Sequence, residues 1–261
     1  MTSDLRQSAA KLTDVCRIIF RDESHWIEAD GYPDSLALCI IDSIFSTGSH
    51  YTSVVNVVTA YRKMRRAQGG DPNTDGATEL LASFESAGGS AGWAEAVNNR
   101  KPAHTGSGAL LKAEVVYRAA LTLASLEGGT VETAEDVRRE SLIDPELKRI
   151  KKAWLRLPSQ SSGVTFNYLL ILVGLQSVKP DRMVIRFIEE HADLGERRLN
   201  PKEAASLISL VATLYPTEAR KLDHVIWRHV SGREVFRTVQ PDIKTRTDAG
   251  PMAGLSAVGD V

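Results

Sequence analysis

Cysteine is scarce in this sequence, with Cys16 and Cys39 the only two among 261 residues. Each falls in an apolar helical pattern, which favours buried reduced thiols over a disulfide. The histidines do not fit a metal site, since His224 and His229 are five residues apart and would be splayed on a helix. Neither the phosphate-cradling pattern GxxxxGK nor the dinucleotide pattern GxGxxG occurs. We therefore expect no metal and no nucleotide cofactor.

Long apolar runs are also missing. No stretch reaches the length of a membrane-crossing helix, and the N-terminus, MTSDLRQSAAKL, lacks the basic flank and apolar core of a secretory signal. The hydrophobic fraction of 43% still suffices for a substantial core. We expect a cytoplasmic protein that does not associate with membranes.

Neither charge is in clear excess, because the formal net charge is −1. This balance argues mildly against binding to DNA, yet the charges are unevenly distributed. Cationic residues cluster at 62–66, 148–156 and 179–186, and acidic residues at 71–80, 132–146 and 189–196. Such clusters are compatible with one basic face that meets DNA. Solvated helix faces are the alternative.

Apolar side chains recur at helical spacing along most of the chain, and no convincing β-strand pattern occurs. The sequence therefore predicts an all-α fold. Thr133 begins a capping pattern, Pro145 opens a basic helix, and Asn200-Pro201 opens another helix. The expected helices cover residues 4–22, 36–45, 54–64, 79–84, 93–97, 110–126, 164–175, 181–192, 204–214 and 219–230.

The most informative stretch runs from Leu157 to Phe187, LPSQSSGVTFNYLLILVGLQSVKPDRMVIRF. Turn-forming residues from Pro158 to Gly163 precede an apolar helix, a second turn and an acid, Asp181. Small residues in such a hairpin allow close approach of an outside group, and amides at a helix N-terminus form an anion site. Basic residues lie immediately upstream: Lys148, Arg149, Lys151, Lys152 and Arg156. A phosphate is therefore the expected anion.

This arrangement resembles the helix-hairpin-helix DNA glycosylase superfamily, which includes endonuclease III and the adenine and alkylpurine glycosylases. The family pattern is Leu-Pro-Gly-Val-Gly, an apolar helix ending near a Gly, then a catalytic Asp that opens the next helix, with an Arg a few residues later. Without a gap, Leu157-Pro158-Ser159-Gln160-Ser161 falls on the hairpin, Gly174 on the helix end, Asp181 on the acid and Arg186 on the Arg. Residues 36–54 are similar to the first barrel helix with the loop that enters the DNA stack, and residues 109–129 to the helix and Gly turn before the hairpin region.

The resemblance implies a two-lobed fold. A six-helix barrel would span residues 30–175 and contain the hairpin at about 157–163. A smaller lobe would combine residues 1–29 with 176–240. Independently of the resemblance, residues 241–261 are polar, Gly and Ala without periodicity, which predicts a disordered tail. Double-stranded DNA would lie across the cleft between the lobes, bound by a monomer.

The resemblance also implies roles for individual residues. Asp181 would be the catalytic carboxylate, which stabilises an oxocarbenium-like sugar and orients water. Capping of the next helix is the ordinary role of such an Asp and is the alternative. The implied DNA-binding residues are Ser159, Ser161, Ser162, Gly163, Lys151, Lys152 and Arg186.

The target base would have to be flipped out of the duplex and its place filled. The residue that relatives use for filling falls on Gly48, which has no side chain to insert. His50 or Tyr51 would then have to act as the wedge.

Three departures from the family pattern limit what the resemblance implies. The hairpin carries serines where the family prefers glycines, which leaves its register open by a residue or two. The lysine that bifunctional members use for Schiff-base chemistry falls on Gly163, and no nearby residue is an amine, so strand cleavage is not expected. Two cysteines cannot hold the iron–sulfur cluster of some relatives. A structural monovalent cation at the hairpin is the one option left open among cofactors.

The residues that carry the resemblance imply a monofunctional DNA glycosylase that excises an altered base and leaves an abasic site, as in base-excision repair. One alternative is a glycosylase that attacks modified bases of foreign (phage) DNA in antiviral defence, which needs an enlarged pocket beside Asp181. The other is a non-catalytic helix-hairpin-helix DNA-binding module. An enzyme requires Asp181 at the mouth of a cleft facing the hairpin, and a module is compatible with Asp181 buried in a salt bridge.

Overall fold

The computed structural model describes residues 3–28, 30–195 and 197–237. Over these residues the regular structure consists of twelve α-helices, a 3-10 helix at Glu23–His25 and two isolated β-bridges. The expectation of an all-α fold is confirmed. The tail predicted at 241–261 lies outside the described residues. None of the described helices combines the length and apolar character that crossing a bilayer requires.

The helices follow the apolar patterns of the sequence closely. They are α1 Ser3–Phe20, α2 Leu36–Phe45, α3 Tyr51–Ala67, α4 Ala77–Ser86, α5 Ser90–Ala96, α6 Lys112–Ala124, α7 Ala134–Ile143, α8 Lys148–Leu155, α9 Val164–Leu172, α10 Arg182–His191, α11 Pro201–Leu214 and α12 Ala219–Val230. Side-chain caps set several of the starts, including Thr133 before α7 and Asn200 before α11.

The basic helix α8 begins at Lys148, later than the predicted start at Pro145. Asp144 explains the difference, because its carboxylate accepts from the backbone N–H of Lys148 at 2.8 Å and its carbonyl accepts from that of Leu147 at 2.8 Å. Pro145 therefore lies in a turn closed by Asp144, and Leu147 takes a left-handed backbone conformation with φ of 49°.

Two hydrophobic cores organise the chain. The first is built from helices α2 to α9, and α2 lies within it with all ten of its residues buried. The second joins α1 to α10, α11 and α12, where Phe20 stacks on Phe187 with ring centroids 5.7 Å apart. Cys39 lies in the first core and Cys16 in the second, both as free thiols.

The segment between α9 and α10 connects the two cores and fixes the site described below. Asn167 on α9 donates its side-chain amide to the carbonyl of Val178 at 3.0 Å. The backbone N–H of Lys179 donates to the buried carboxylate of Asp223 on α12 at 2.8 Å. Hydrogen bonds to both sides therefore hold residues 178–181 where the two cores meet.

Candidate functional site

A hairpin, residues 157–163, joins α8 to α9. Ser159 and Gly163 adopt left-handed backbone conformations, with φ of 64° and 77°. Gly163 stands immediately before Val164, the first residue of α9, where a residue without a Cβ takes this conformation without strain. Ser159 has no such freedom, so the surrounding contacts must hold it in place.

Those contacts form a short buried chain of hydrogen bonds beneath the hairpin. The indole of Trp154 donates to the hydroxyl of Thr165 at 3.0 Å, and that hydroxyl donates to the side-chain carbonyl of Gln160 at 2.5 Å. The side-chain amide of Gln160 donates to the carbonyl of Pro158 at 3.0 Å. The Gln160 side chain therefore fills the inside of the turn and gives a backbone carbonyl there the hydrogen bond that water would otherwise provide.

The outer side of the hairpin is polar and available to a ligand. Ser159, Ser161 and Ser162 are exposed, and within the described part of the chain their backbone N–H groups donate to no acceptor. Lys151 and Lys152 on α8 are exposed as well, and neither forms an ion pair with another described residue. The hairpin therefore presents free amides, and the helix that leads into it carries two unpaired positive charges.

Arg186, the other basic residue in the predicted DNA-binding set, is placed differently. It lies on α10 and is exposed, and its guanidinium donates to Glu190 one turn further along at 2.8 Å. An ion pair of this exposed kind contributes little to stability and breaks easily when a phosphate competes for the guanidinium.

A cavity of about 650 Å³ opens where the two cores meet. Its wall takes Val164, Tyr168 and Ile171 from one face of α9, so that it begins directly after the hairpin. Other parts of the lining come from α2 and the loop after it, from α3, from α12 and from residues 27–32. Asp181 and the first turn of α10 line it as well.

Asp181 occupies the N-cap position of α10. Its Oδ1 accepts from the backbone N–H groups of Met183 at 2.8 Å and Val184 at 3.3 Å. Its Oδ2 lies 3.9 Å from the ammonium nitrogen of Lys179, and the side chain keeps 21% of its surface exposed. The capping role that sequence patterns favour is therefore present, and the same carboxylate also lines the cavity.

Lys179 places an amine in the cavity, although no amine lies near Gly163, the position on which the family lysine falls. Its Nζ lies 3.1 Å from the hydroxyl of Ser46 and 3.7 Å from the centre of the Tyr168 ring. Burial lowers the pKa of Lys179, against the opposing charges of Asp181, Asp42 and Asp223. The position of Lys179, two residues before an N-cap, does not indicate from the sequence that its side chain points into the cavity.

Asp42 is a buried acid that sequence reasoning missed. It lies in the middle of α2 with 4% of its surface exposed, and it lines the cavity. Its Oδ2 accepts from the hydroxyl of Tyr32 at 2.9 Å, whereas its Oδ1 has no hydrogen-bond partner within the described residues. Burial raises the pKa of Asp42, against the opposing effects of the Lys179 charge and of the Tyr32 and Tyr168 hydroxyls. Its signal was a lone acid inside the otherwise apolar run LALCIIDSIF.

Two further side chains of the cavity have unsatisfied polar atoms. Over the described chain, the buried side-chain atoms without a hydrogen-bond partner are Asp42 Oδ1, Arg62 Nε and His224 Nε2, and all three residues line this cavity. Burial lowers the pKa of His224 to about 4, so its imidazole is neutral at pH 7. Each of the three atoms has almost no surface accessible to solvent, so each is an unsatisfied polar group inside the cavity wall.

The loop 46–49 forms one edge of the cavity and is anchored by Lys112. This buried lysine donates to the carbonyl of Phe45 at 3.0 Å, to the carbonyl of Thr47 and to the hydroxyl of Ser49 at 3.1 Å. Burial lowers the pKa of Lys112 to about 8. Gly48 lies in this loop with φ of 58°, and open space surrounds the position that a Cβ would take.

The two candidate wedge residues differ in their relation to the cavity. His50 is exposed before α3 and lies outside the cavity lining. Tyr51 lines the cavity and is 45% exposed. Its ring packs against Trp227 at 5.4 Å, and the guanidinium of Arg233 lies 4.8 Å from its centre. Tyr51 is therefore the wedge candidate that the structure brings to the cavity.

The sequence model of one protein family, described as Domain of unknown function (DUF8548), matches residues 10–231. No curated protein and no solved structure matches the chain. The matched region contains the hairpin and all residues that line the cavity. Because it covers well over half of the sequence, this chain belongs to the DUF8548 family.

Proposed function

We propose that this protein is a monofunctional DNA glycosylase. It binds duplex DNA as a monomer, hydrolyses the N-glycosidic bond of a flipped, altered base and leaves an abasic site. The observation that carries the proposal is the position of Asp181, which caps α10 and lines a cavity of about 650 Å³ together with Val164, the residue that follows the hairpin. Its place in the cavity lining supports an enzyme, whereas its ion pair with Lys179 at 3.9 Å is also compatible with a binding module.

The chemistry requires a negative charge beneath a sugar that becomes positively charged. Asp181 supplies it with Oδ2, since Oδ1 is held by the two backbone N–H groups of the α10 cap. Those hydrogen bonds fix the carboxylate before the substrate arrives, so that no reorganisation is needed as the oxocarbenium-like sugar forms. Oδ2, which lies 3.9 Å from the ammonium of Lys179, also orients the attacking water.

DNA contact is assigned to the hairpin and α8. Free N–H groups of Ser159, Ser161 and Ser162 suit the oxygens of one phosphate, and Lys151 and Lys152 add the charge that non-specific binding requires. Tyr51 at the cavity edge fills the place of the flipped base.

A second candidate, a glycosylase for modified bases of foreign DNA, is favoured by the cavity itself. A volume of about 650 Å³ falls in the range that accommodates ligands of drug size, which are larger than a single base. The reaction and the role of Asp181 are the same in both candidates.

The test is base release from duplex oligonucleotides. A panel with alkylated purines, deaminated and oxidised bases, and hydroxymethylated and glucosylated pyrimidines is incubated with the protein and then treated with hot alkali, which cuts abasic sites. Asp181→Asn keeps the cap, because Asn accepts the same backbone hydrogen bonds. We expect it to unfold within about 5 °C of the wild type, and release to fall by about 10²–10³-fold, the range for loss of one transition-state contact.

Asn200→Ala is the matched control. Asn200 caps α11 as Asp181 caps α10, but it lies outside the cavity lining. Its loss costs about 1 kcal/mol of stability and should leave base release unchanged below the melting temperature. Unchanged release by Asp181→Asn rejects the mechanism, and salt-dependent DNA binding without release from any duplex indicates the non-catalytic module.

The monofunctional part of the proposal is tested separately, because Lys179 brings an amine within 3.9 Å of Asp181. Its Nζ is engaged by Ser46 and by the Tyr168 ring rather than free to attack a sugar. We therefore expect no strand break before alkali and no covalent adduct on reduction with borohydride. A borohydride-trapped adduct that disappears in Lys179→Met contradicts the monofunctional assignment.

A further inference from the structure

We infer that Arg233 binds a DNA phosphate next to the flipped nucleotide, an inference that rests on the proposed glycosylase function. Arg233 follows α12, which packs in the second core, and its side chain is exposed. The hairpin and α8, to which DNA contact is assigned above, adjoin the first core. Arg233 therefore adds a contact to the DNA backbone from the other side of the molecule's two-core structure.

Hydrogen bonds on both sides of Arg233 hold its backbone in place. The N–H of Arg233 donates to the carbonyl of Arg228 at 2.8 Å, which closes the turn after α12. Two residues further along, the carbonyl of Val235 accepts from the N–H of Ile27 at 2.9 Å. We call residues 232–237 the C-terminal strap. Because the strap is fixed before DNA arrives, little conformational freedom is lost when Arg233 binds.

Two aromatic rings orient the guanidinium of Arg233. Its central carbon lies 4.8 Å from the centre of the Tyr51 ring and 5.1 Å from that of Trp227, and the two ring centres are 5.4 Å apart. Contact with a ring uses none of the N–H donors of a guanidinium. Within the described part of the chain, the Arg233 side chain forms no ion pair and donates to no acceptor. It is therefore an oriented donor group that suits the oxygens of a phosphate.

The place of Arg233 beside the cavity indicates which phosphate it meets. Tyr51 and Trp227 line the cavity, whereas Arg233 lies outside the lining and against their rings. The guanidinium therefore stands at the cavity edge, next to the residue that is proposed to fill the place of the flipped base. A base inserted into the cavity brings its own sugar to that edge, and the phosphates on either side of the sugar come with it. One of these two phosphates is the expected partner.

Two more arginines without an acidic partner lie at this cavity. Arg182 and Arg228 belong to its lining, and neither forms an ion pair with another described residue. By contrast, several arginines elsewhere around the second core are each paired with a glutamate, namely Arg186 with Glu190, Arg197 with Glu203, Arg198 with Glu189 and Arg220 with Glu218. The arginines left without a carboxylate therefore lie where the backbone of a flipped nucleotide has to pass.

The experiment measures binding to a duplex that carries a tetrahydrofuran analogue of an abasic site. This probe has no base to release, so the result does not depend on which base the protein excises. We expect Arg233→Gln to weaken binding by about 10–100-fold, the range for a hydrogen bond to a charged group. The slope of log affinity against log salt concentration should fall by about 1, as for the loss of one phosphate contact. Arg233→Lys keeps the charge and should keep the wild-type slope.

Neutral methylphosphonates, placed one at a time in the same duplex, locate the phosphate. At one of the two positions that flank the analogue, the replacement should weaken binding of the wild type by the same factor as Arg233→Gln does. There it should have no further effect on the variant, because the contact is already lost. A methylphosphonate several nucleotides away should weaken the wild type and the variant equally.

Arg237→Gln is the matched control on the same strap. Arg237 is exposed like Arg233, but its guanidinium is engaged by Glu28 at 3.3 Å. Affinity and salt slope should match those of the wild type. The urea midpoints of Arg233→Gln and Arg237→Gln should also stay close to that of the wild type, because both side chains are exposed. An equal loss of affinity in the two variants indicates a structural role of the strap and overturns the inference.

Three other results overturn the inference. They are wild-type affinity in Arg233→Gln, a loss that adds to the effect of a methylphosphonate at both flanking positions, and binding of the analogue no tighter than of an undamaged duplex. Failure of the proposed function appears in a different assay, as full base release by Asp181→Asn or as no release by the wild type. A contact that depends on Arg233 in a protein that releases no base supports the phosphate site and rejects the enzyme.

Discussion

Acidification should destabilise this protein through His224, which the fold holds in its neutral form. The ring is packed in the cavity wall, stacked on Trp227 with centroids 5.9 Å apart, and its Nε2 has no partner within the described residues. Burial is the main reason that the pKa of His224 falls to about 4, and the nearby charge of Arg228 acts in the same direction. The replacement His224→Phe keeps a flat ring there and removes the titration.

The size of the effect follows from the two pKa values. The unfolded chain takes up the proton near pH 6.5, whereas the folded chain resists it down to about 4. The stabilising contribution is therefore complete above pH 6.5 and is lost as the pH falls toward 4. Linkage gives a loss of about 1.2 kcal/mol at pH 5.5 and about 2.5 kcal/mol at pH 4.5, relative to pH 7.

Urea unfolding at pH 7.0, 5.5 and 4.5 measures this loss in the wild type and in His224→Phe. Burial raises the pKa of Asp42 and of Asp223, so these two acids stabilise the fold as the pH falls. Because both proteins contain them, their effect cancels in the comparison. The wild type should lose about 2.5 kcal/mol more than the variant between pH 7.0 and 4.5. Equal losses would refute the claim that the cavity excludes a charged imidazole.

Three other substitutions test the supports of the cavity. Asp75→Asn leaves the guanidinium of Arg65 without the carboxylate that it contacts at 2.7 Å, and should destabilise the fold by about 3–5 kcal/mol in urea; a loss typical of an exposed pair, under about 1 kcal/mol, contradicts this. Lys112→Met frees the loop 46–49, which should become the first site of limited proteolysis, an outcome contradicted by a cleavage pattern like that of the wild type. Gly31→Ala places a Cβ 2.6 Å from the carbonyl oxygen of Leu172 at a φ of +58°, and should lower the free energy of unfolding by about 1–3 kcal/mol. An unchanged melting temperature would contradict this, because it would mean that the backbone shifts freely.

The helices could be predicted because local chemistry sets them. The bounds of α2 and α12 agree with the apolar periodicity, and Asn200 and Thr133 act as the caps that their neighbours indicate. The predicted start of α8 at Pro145 was wrong. The carboxylate of Asp144 accepts the backbone N–H of Lys148, which closes a turn over Pro145 before the helix begins. Proline permits a helix start without requiring one.

The cavity could be predicted only in part. The family resemblance of residues 157–187 singled out Asp181, which lines the cavity, and its catalytic role stays a prediction. Asp42, Arg62 and His224 come from three separate helices, and their proximity follows from packing between two cores that no spacing along the chain encodes. Only Asp42 could have been noticed in the sequence, because an acid inside an otherwise apolar helix requires a hydrogen-bond or charge partner, or a functional role.

The most direct test of the account is the rate of base release by Asp181→Asn under single-turnover conditions, on whichever duplex of the panel the wild type cleaves. Asp181 caps α10 through an oxygen that Asn retains, so stability should be preserved. The account predicts a folded variant that still binds DNA and releases base about 10²–10³-fold more slowly. A folded variant that releases base at the wild-type rate would contradict it.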